Sequence, residues 1–402
     1  MKKEDTPSPL LSNIWKLNLI QAFRWFMLIM PVIVLFYQEN GLTMKDIMVL
    51  QALYSLALII FEVPSGYFSD TLGRRNALVT GTALCTAGFL IYTLSSSFSG
   101  FLCAEMVLGL GYSFISGTDA ALLYDTLLET HRENDYTRRQ GRLSATANFS
   151  EAAAAILGGI IAMVSLRLNF YLETGIMALA IPVAFSIQEP AAHQQLNQRI
   201  RLKQFYTIIR ETFSSPELFW LIFFNAVILA ATLTIVWFVQ PYLKISGIAL
   251  PFFGLIWTML NLSVGISSLS ADRMRAALGP KGSFLFPLLL VITGYFSLSF
   301  MDFTWSFVLF ILFYLARGFA LPVFADQINR RVHSQRRATI LSIRVLLTRL
   351  IFCLVGPASG YVSDCYNLKS GLLFAGGIFL FMGTFSLGRL LKIRPKQTRL
   401  PD

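Results

Sequence analysis

The chain has 402 residues, 55% of them hydrophobic and 14% charged, with a mean hydropathy of +0.61. Soluble domains carry about 25% charged residues, so this composition excludes a chain folded wholly in water. The net charge of +11 does not indicate nucleic-acid binding, because the basic residues lie in loops between apolar runs and form no separate domain.

A membrane helix needs about 20 apolar residues, and the hydropathy pattern predicts twelve such segments. In chain order they are Asn13–Tyr37, Met44–Tyr67, Asn76–Ser95, Ser99–Leu128, Arg142–Val164, Asn169–Gln188, Pro216–Leu243, Leu250–Ala271, Gly282–Phe300, Phe303–Ile328, Ala338–Val362 and Leu368–Lys392. No cleaved signal peptide is expected. Met1–Leu11 is polar, and the apolar run behind it holds Lys16 and Arg24 without a small-residue cleavage site. Lys and Arg collect on one side of the expected spans, from Lys2 and Lys3 through Arg74, Arg75, Arg138, Arg139, Arg201, Arg275, Arg330 and Arg337 to a C-terminal cluster. The other side has only Lys45, Arg167, Lys244 and Lys369. By the positive-inside rule both termini are cytoplasmic.

The longest connection follows the sixth span. It divides the chain into a first bundle (1–188), a linker (189–215) and a second bundle (216–402). Within the linker Phe205, Ile208, Ile209 and Phe213 recur at helical spacing among basic residues, which suits an amphipathic helix at the interface. The halves echo each other weakly: Gly66–Asp70 has a counterpart in Ser268–Asp272, with Arg273, Arg275, Gly279 and Lys281 following.

The most informative stretch joins the second and third spans: Gly66-Tyr67-Phe68-Ser69-Asp70-Thr71-Leu72-Gly73-Arg74-Arg75-Asn76-Ala77-Leu78. It is too short and too polar to cross lipid, and it carries an anion, two cations and two glycines at a turn. It resembles the signature loop of the major facilitator superfamily, G-x-L-a-D-r-x-G-r-k-x-x-l. Phe68 stands for the leucine, and Thr71 replaces a commonly basic position. The resemblance implies an all-α membrane protein with twelve transmembrane helices in two six-helix bundles that rock about a central substrate site. It also implies a conformational clasp built from Gly66, Asp70, Gly73, Arg74 and Arg75 together with Asp125, bridging the bundles in the outward-facing state. Glu62, two residues before Pro64, belongs with this loop, either as a support or as part of the bundle interface.

Ionisable residues inside spans are expensive and are functional candidates by default. Glu105, Asp119 and Glu151 are the candidates for proton coupling. Glu105 stands where many proton-coupled relatives carry arginine in R-x-x-x-G-x-G. On one continuous helix Glu105, Tyr112 and Asp119 share a stripe that drifts about 20° per seven residues. Gly158 and Gly159 match the end of the antiporter pattern G-x-x-x-G-P-x-x-G-G, and close helix packing explains them equally well. Arg24, Gln21, Arg317, Arg344, Arg349 and Trp237 are the cavity candidates. The arginines either bind an anionic substrate or neutralise the membrane acids.

No phosphate-binding Gly-x-x-x-x-Gly-Lys-Ser/Thr loop occurs, so an ion gradient is the expected energy source. The four cysteines and three histidines have no metal or catalytic spacing. No cofactor, no metal and no enzymatic activity are expected. The favoured function is secondary active, proton-coupled efflux of small amphipathic or drug-like compounds by a monomer in a bacterial inner membrane. Its partners are substrate, protons and lipid, and not nucleic acid. The alternatives are uptake or exchange of an anionic metabolite, and a non-transporting sensor on the same scaffold.

Overall fold

Proline interrupts the first apolar run. Pro31 has no amide to donate, and it disfavours helical geometry at the residue before it. The expected single span therefore divides into α1 (Ser12–Trp25) and α2 (Ile33–Glu39), with turns between them. The computed structural model describes residues 9–190, 215–301, 304–332 and 337–393. The amphipathic linker helix expected around Phe205–Phe213 lies outside them, as do Lys2, Lys3 and the basic residues beyond 393.

Among the described residues all regular structure is helical. α3 (Met44–Leu72) starts at a capping box: the Thr43 hydroxyl accepts from the Asp46 N–H at 3.2 Å, and Asp46 Oδ2 accepts from the Thr43 N–H at 3.1 Å. α4 (Arg74–Leu94), α5 (Phe98–Ile115), α6 (Thr118–Glu129), α7 (Tyr136–Ile161), α8 (Leu166–Ala178) and α9 (Ala180–Phe185) follow. The fourth expected span, Ser99–Leu128, is not one helix. Gly117 takes φ 80° and ψ −33° between α5 and α6, a left-handed conformation that glycine adopts without strain.

The later helices are α10 (Pro216–Ile245), α11 (Pro251–Phe300), α12 (Ile311–Asn329), α13 (Arg337–Cys365) and α14 (Leu368–Lys392). Nine helices are long and apolar enough to cross a membrane, judged on the described residues. The expected twelve differ from these nine in three places. The first run is broken near Pro31, and the fifth carries polar residues through its first half. The eighth and ninth are two helices that meet at a kink at Gly279, with φ 66°, and are counted together as α11.

The chain divides into two compact units, Met1–Asn197 with Ile248–Thr258, and Gln198–Gly247 with Met259–Asp402. In the first unit α5 packs on α3 and α4, α4 also packs on α8, and α1 packs on α7. Its aromatic core joins Phe36, Tyr37, Tyr92, Phe101 and Phe170; the Tyr92 and Phe170 rings stack at 4.8 Å. In the second unit α10 packs against α12, α13 and α14. α10 is apolar all round, as a helix enclosed by others must be, and 89% of its most apolar window is buried.

Arg167, at the start of α8, ties three connections of the first unit together. Its guanidinium donates to the carbonyls of Thr93 and Ser95 at 2.8 and 2.7 Å and to Asn40 Oδ1 at 2.9 Å. A hydrogen bond from a charged donor is worth about 1.5–3 kcal/mol. With the side chain partly exposed, Arg167→Ala should lose about 2 kcal/mol in all. That loss would appear as a lower thermal midpoint of the purified protein, and an unchanged midpoint would show the three contacts to be replaceable by water.

Candidate functional site

The turn between α3 and α4 gathers charges from three places in the first unit. Arg74 Nη1 contacts Asp70 Oδ1 at 2.7 Å and the Ser69 hydroxyl at 3.0 Å, and Arg74 Nε contacts Asp125 Oδ2, on α6, at 3.3 Å. Asp70 and Arg74 are one helical turn apart. Gly73 lets the chain reverse between the helices with φ 102°. The expected Asp70, Arg74 and Asp125 are therefore brought together, all three inside one unit.

Glu189 completes this cluster. Its carboxylate accepts from the backbone N–H groups of Arg74 and Arg75 at 2.6 and 2.7 Å. An anion there satisfies two orphan donors at the start of α4 and meets the positive end of the helix dipole. Arg75 adds a bond from Nε to the Phe185 carbonyl at 2.9 Å. Sequence reasoning placed Glu189 in the linker and gave it no role; the signal was an acid directly behind the sixth span, opposite a helix start with no side-chain cap. Glu62 and Gly66 lie on exposed turns of α3, apart from these contacts. The close backbone approach expected at Gly66 is not found, since open space surrounds the position of a Cβ there.

A second cluster lies around Asp119, in the first turn of α6. Gln21 Nε2 donates to Asp119 Oδ2 at 2.9 Å, and Arg24 Nη1 stands 3.8 Å from the same oxygen. Gln21 and Arg24 are three residues apart on α1, so one face of that helix presents both. The Arg24 guanidinium lies over the Tyr112 ring at 5.2 Å and the Trp25 ring at 5.7 Å, which favours a desolvated cation. Gln21 Oε1, Arg24 Nε and the Tyr112 hydroxyl are buried without hydrogen-bond partners. The cluster thus contains three buried polar atoms whose hydrogen-bonding capacity is unused.

Glu105 is in a different pocket. It accepts from Gln51 Nε2 at 2.6 Å and from the Tyr37 hydroxyl at 3.0 Å, and Tyr37 and Tyr92 share a hydrogen bond of 2.6 Å. The stripe expected to join Glu105 with Asp119 does not form, because Gly117 breaks the helix between them. Glu151, on α7, accepts from Trp257 Nε1 at 3.3 Å. Beside it Gly158 and Gly159 are packing positions. A Cβ on Gly158 would lie 1.9 Å from the Leu28 carbonyl oxygen, and one on Gly159 would lie 3.0 Å from the Gly254 nitrogen.

In the second unit Trp237 is buried on α10 with its indole N–H unpartnered. Arg317 is half-buried on α12, and Arg344 and Arg349 are half-buried on α13. Arg344 Nε and Nη1 are buried without hydrogen-bond partners. The weak internal echo is corrected here. Asp272 is exposed, and the anion used is Asp326 of α12, which meets Arg275 at 2.5 Å and Arg330 at 2.8 Å. Arg275 and Asp326 are 51 residues apart, the same separation as Arg74 and Asp125. That shared interval was the available signal for Asp326. Among the described residues, no three His, Cys, Asp or Glu side chains are grouped to hold a metal ion.

An all-helical chain with nine apolar spanning helices and charges paired inside its units is a multi-pass integral membrane protein. A family model described as Major Facilitator Superfamily matches residues 16–357. The chain belongs to this superfamily, and its family and fold are those of transporters, not of enzymes. It is 27% identical over 152 residues to the inner membrane transport protein YajR of Escherichia coli strain K12, a match covering 38% of this chain and 31% of that relative. It is 22% identical over 343 residues to the class E tetracycline resistance protein of Escherichia coli, covering 82% of each. The crystal structure of the nucleoside transporter NupG shares the fold, with a TM-score of 0.78 at 14% identity over 96% of this chain and all of that one.

Proposed function

We propose that the protein is a secondary active transporter that exports small amphipathic, drug-like compounds in exchange for protons by alternating access. The observation that carries this reading is the Asp119 cluster. A carboxylate shared between an amide and a guanidinium at 3.8 Å is held without being locked. Binding a proton removes its charge and frees Arg24, whereas deprotonation restores the attraction, about 4 kcal/mol at this distance for an effective dielectric constant of about 20. The unpartnered atoms of Gln21, Arg24 and Tyr112 give a substrate polar anchors beside aromatic rings, as ligand pockets require. The proposal places both termini in the cytoplasm, two six-helix bundles at 1–188 and 216–402, and the protein in the bacterial inner membrane. The resemblance to a drug-resistance protein along most of both chains fits export.

Transport in proteoliposomes across a panel of lipophilic cations, neutral drugs and organic anions tests this, with and without an imposed pH gradient. The expected result is movement of amphipathic compounds that the gradient accelerates. Failure of every compound to move would favour the sensor reading. A second reading, exchange of an organic anion, is favoured by Arg344, whose buried Nε and Nη1 have no partner. On that reading only the anions move, and Arg344→Gln abolishes their exchange.

A further inference from the structure

The first transmembrane run is opened near its middle, and one acid outside the clusters above is turned into the opening. Between α1 and α2 the backbone runs through turns, with Met30 N–H bonded to Met27 O and Val32 N–H to Ile29 O. The Ile29 N–H donates to Glu173 Oε2, on α8, at 3.1 Å. Glu173 is 2% exposed, and its other oxygen, Oε1, is buried without a partner. One turn earlier on the same helix Asn169 is fully buried. Its Nδ2 donates to the Gly158 carbonyl at 3.3 Å, and its Oδ1 is likewise unpartnered. The Leu28 carbonyl faces the bare Cα of Gly158 at a distance that would exclude any Cβ there.

A carboxylate taken out of water loses more than the backbone amides of Leu28 and Ile29 return. No salt bridge neutralises Glu173 among the described residues. The phenol of Tyr112, on α5, is a titratable group that interacts with it electrostatically. Among the described residues the partners of Glu173 are the backbone amides of Leu28 and Ile29, in the opening. Glu173 Oε1 and Asn169 Oδ1 are thus two buried oxygens without hydrogen-bond partners, one helical turn apart on a helix that contacts the interrupted first run. Interrupted membrane helices supply oxygen ligands for ions.

We propose that Glu173, Asn169 and the opened segment between α1 and α2 form a binding site for a small monovalent cation, a proton or a sodium ion, separate from the Asp119 cluster. The cation neutralises the Glu173 carboxylate and is held against the Asn169 Oδ1 oxygen. Its position ties occupancy to the shape of the first transmembrane run, because the same carboxylate holds the Ile29 amide.

The test is the thermal midpoint of the full chain purified in detergent micelles. It is measured from acidic to alkaline pH, in sodium chloride and in choline chloride at equal ionic strength, for the wild type and Glu173→Gln. If sodium is the occupant, sodium raises the wild-type midpoint saturably and leaves Glu173→Gln unmoved. If the proton is the occupant, alkaline pH strips it and lowers the wild-type midpoint, while the permanently neutral amide of the variant does not follow. Profiles that superpose in both series overturn the proposal. Should Glu173→Gln not fold, Asn169→Ala serves. Removing a ligand-supporting group should move the half-point of either titration about tenfold in concentration, and an unmoved half-point overturns the proposal. Neither readout depends on transport, so this site and the efflux reading can fail separately.

Discussion

Asp119→Asn should retain substrate binding and exchange but lose acceleration by a pH gradient. Proton coupling needs a group that alternates between neutral and charged forms, and asparagine is fixed in the neutral one. Arginine cannot substitute, since it stays protonated throughout. The competing expectation is a purely structural ion pair. Breaking a fully buried pair by removing one partner is worth about 3–5 kcal/mol, enough to reduce folded yield severely. Here the partners are 3.8 Å apart with 15% and 13% of their side chains exposed, and Arg24 keeps two aromatic faces. The fold should therefore survive, and Arg24→Gln in the same molecule should restore any yield that is lost. A well-folded Asp119→Asn protein with full pH-driven transport would remove Asp119 from the coupling role.

Arg74→Ala should slow turnover by at least about tenfold, more than it lowers protein abundance. Arg74 contacts both Asp70 and Asp125, at 2.7 and 3.3 Å, and a charge-assisted contact worth about 1.5–3 kcal/mol biases a two-state equilibrium by that factor or more. Its removal takes a cation away from both aspartates. Asp70→Asn should be milder, because Arg74 retains Asp125. Initial rates in proteoliposomes, normalised to protein content, check both. Near-normal rates in both variants would reduce the turn to a helix connector.

The turn containing Gly73 was legible because spacing, glycine and charge all act within one or two helical turns. Asp70 and Arg74 meet across the short turn at Gly73, and Asp125 joined them through the family resemblance. The breaks were less visible. Hydropathy averaged over a span cannot register Pro31 inside an apolar run, although the missing amide is explicit in the sequence. Nor did it register that Gly117, a single residue in left-handed geometry, rotates α6 away from the stripe of α5 and separates Glu105 from Asp119. Pairings across the chain were the hardest. Arg24 with Asp119, and Glu189 with the start of α4, depend on how helices pack, which no local pattern encodes. Arg275 with Asp326 was accessible only through its interval.

That interval carries a consequence of its own. An arginine and an aspartate 51 residues apart meet in each unit, the geometry expected of two descendants of one duplicated ancestral half. The descendants no longer carry the same charge. In the first, one arginine serves two aspartates; in the second, Asp326 serves Arg275 and Arg330. Divergence has kept the positions of the contact and changed which residue type is shared between two partners. Two such copies cannot be exchanged for one another by simple repetition of either half.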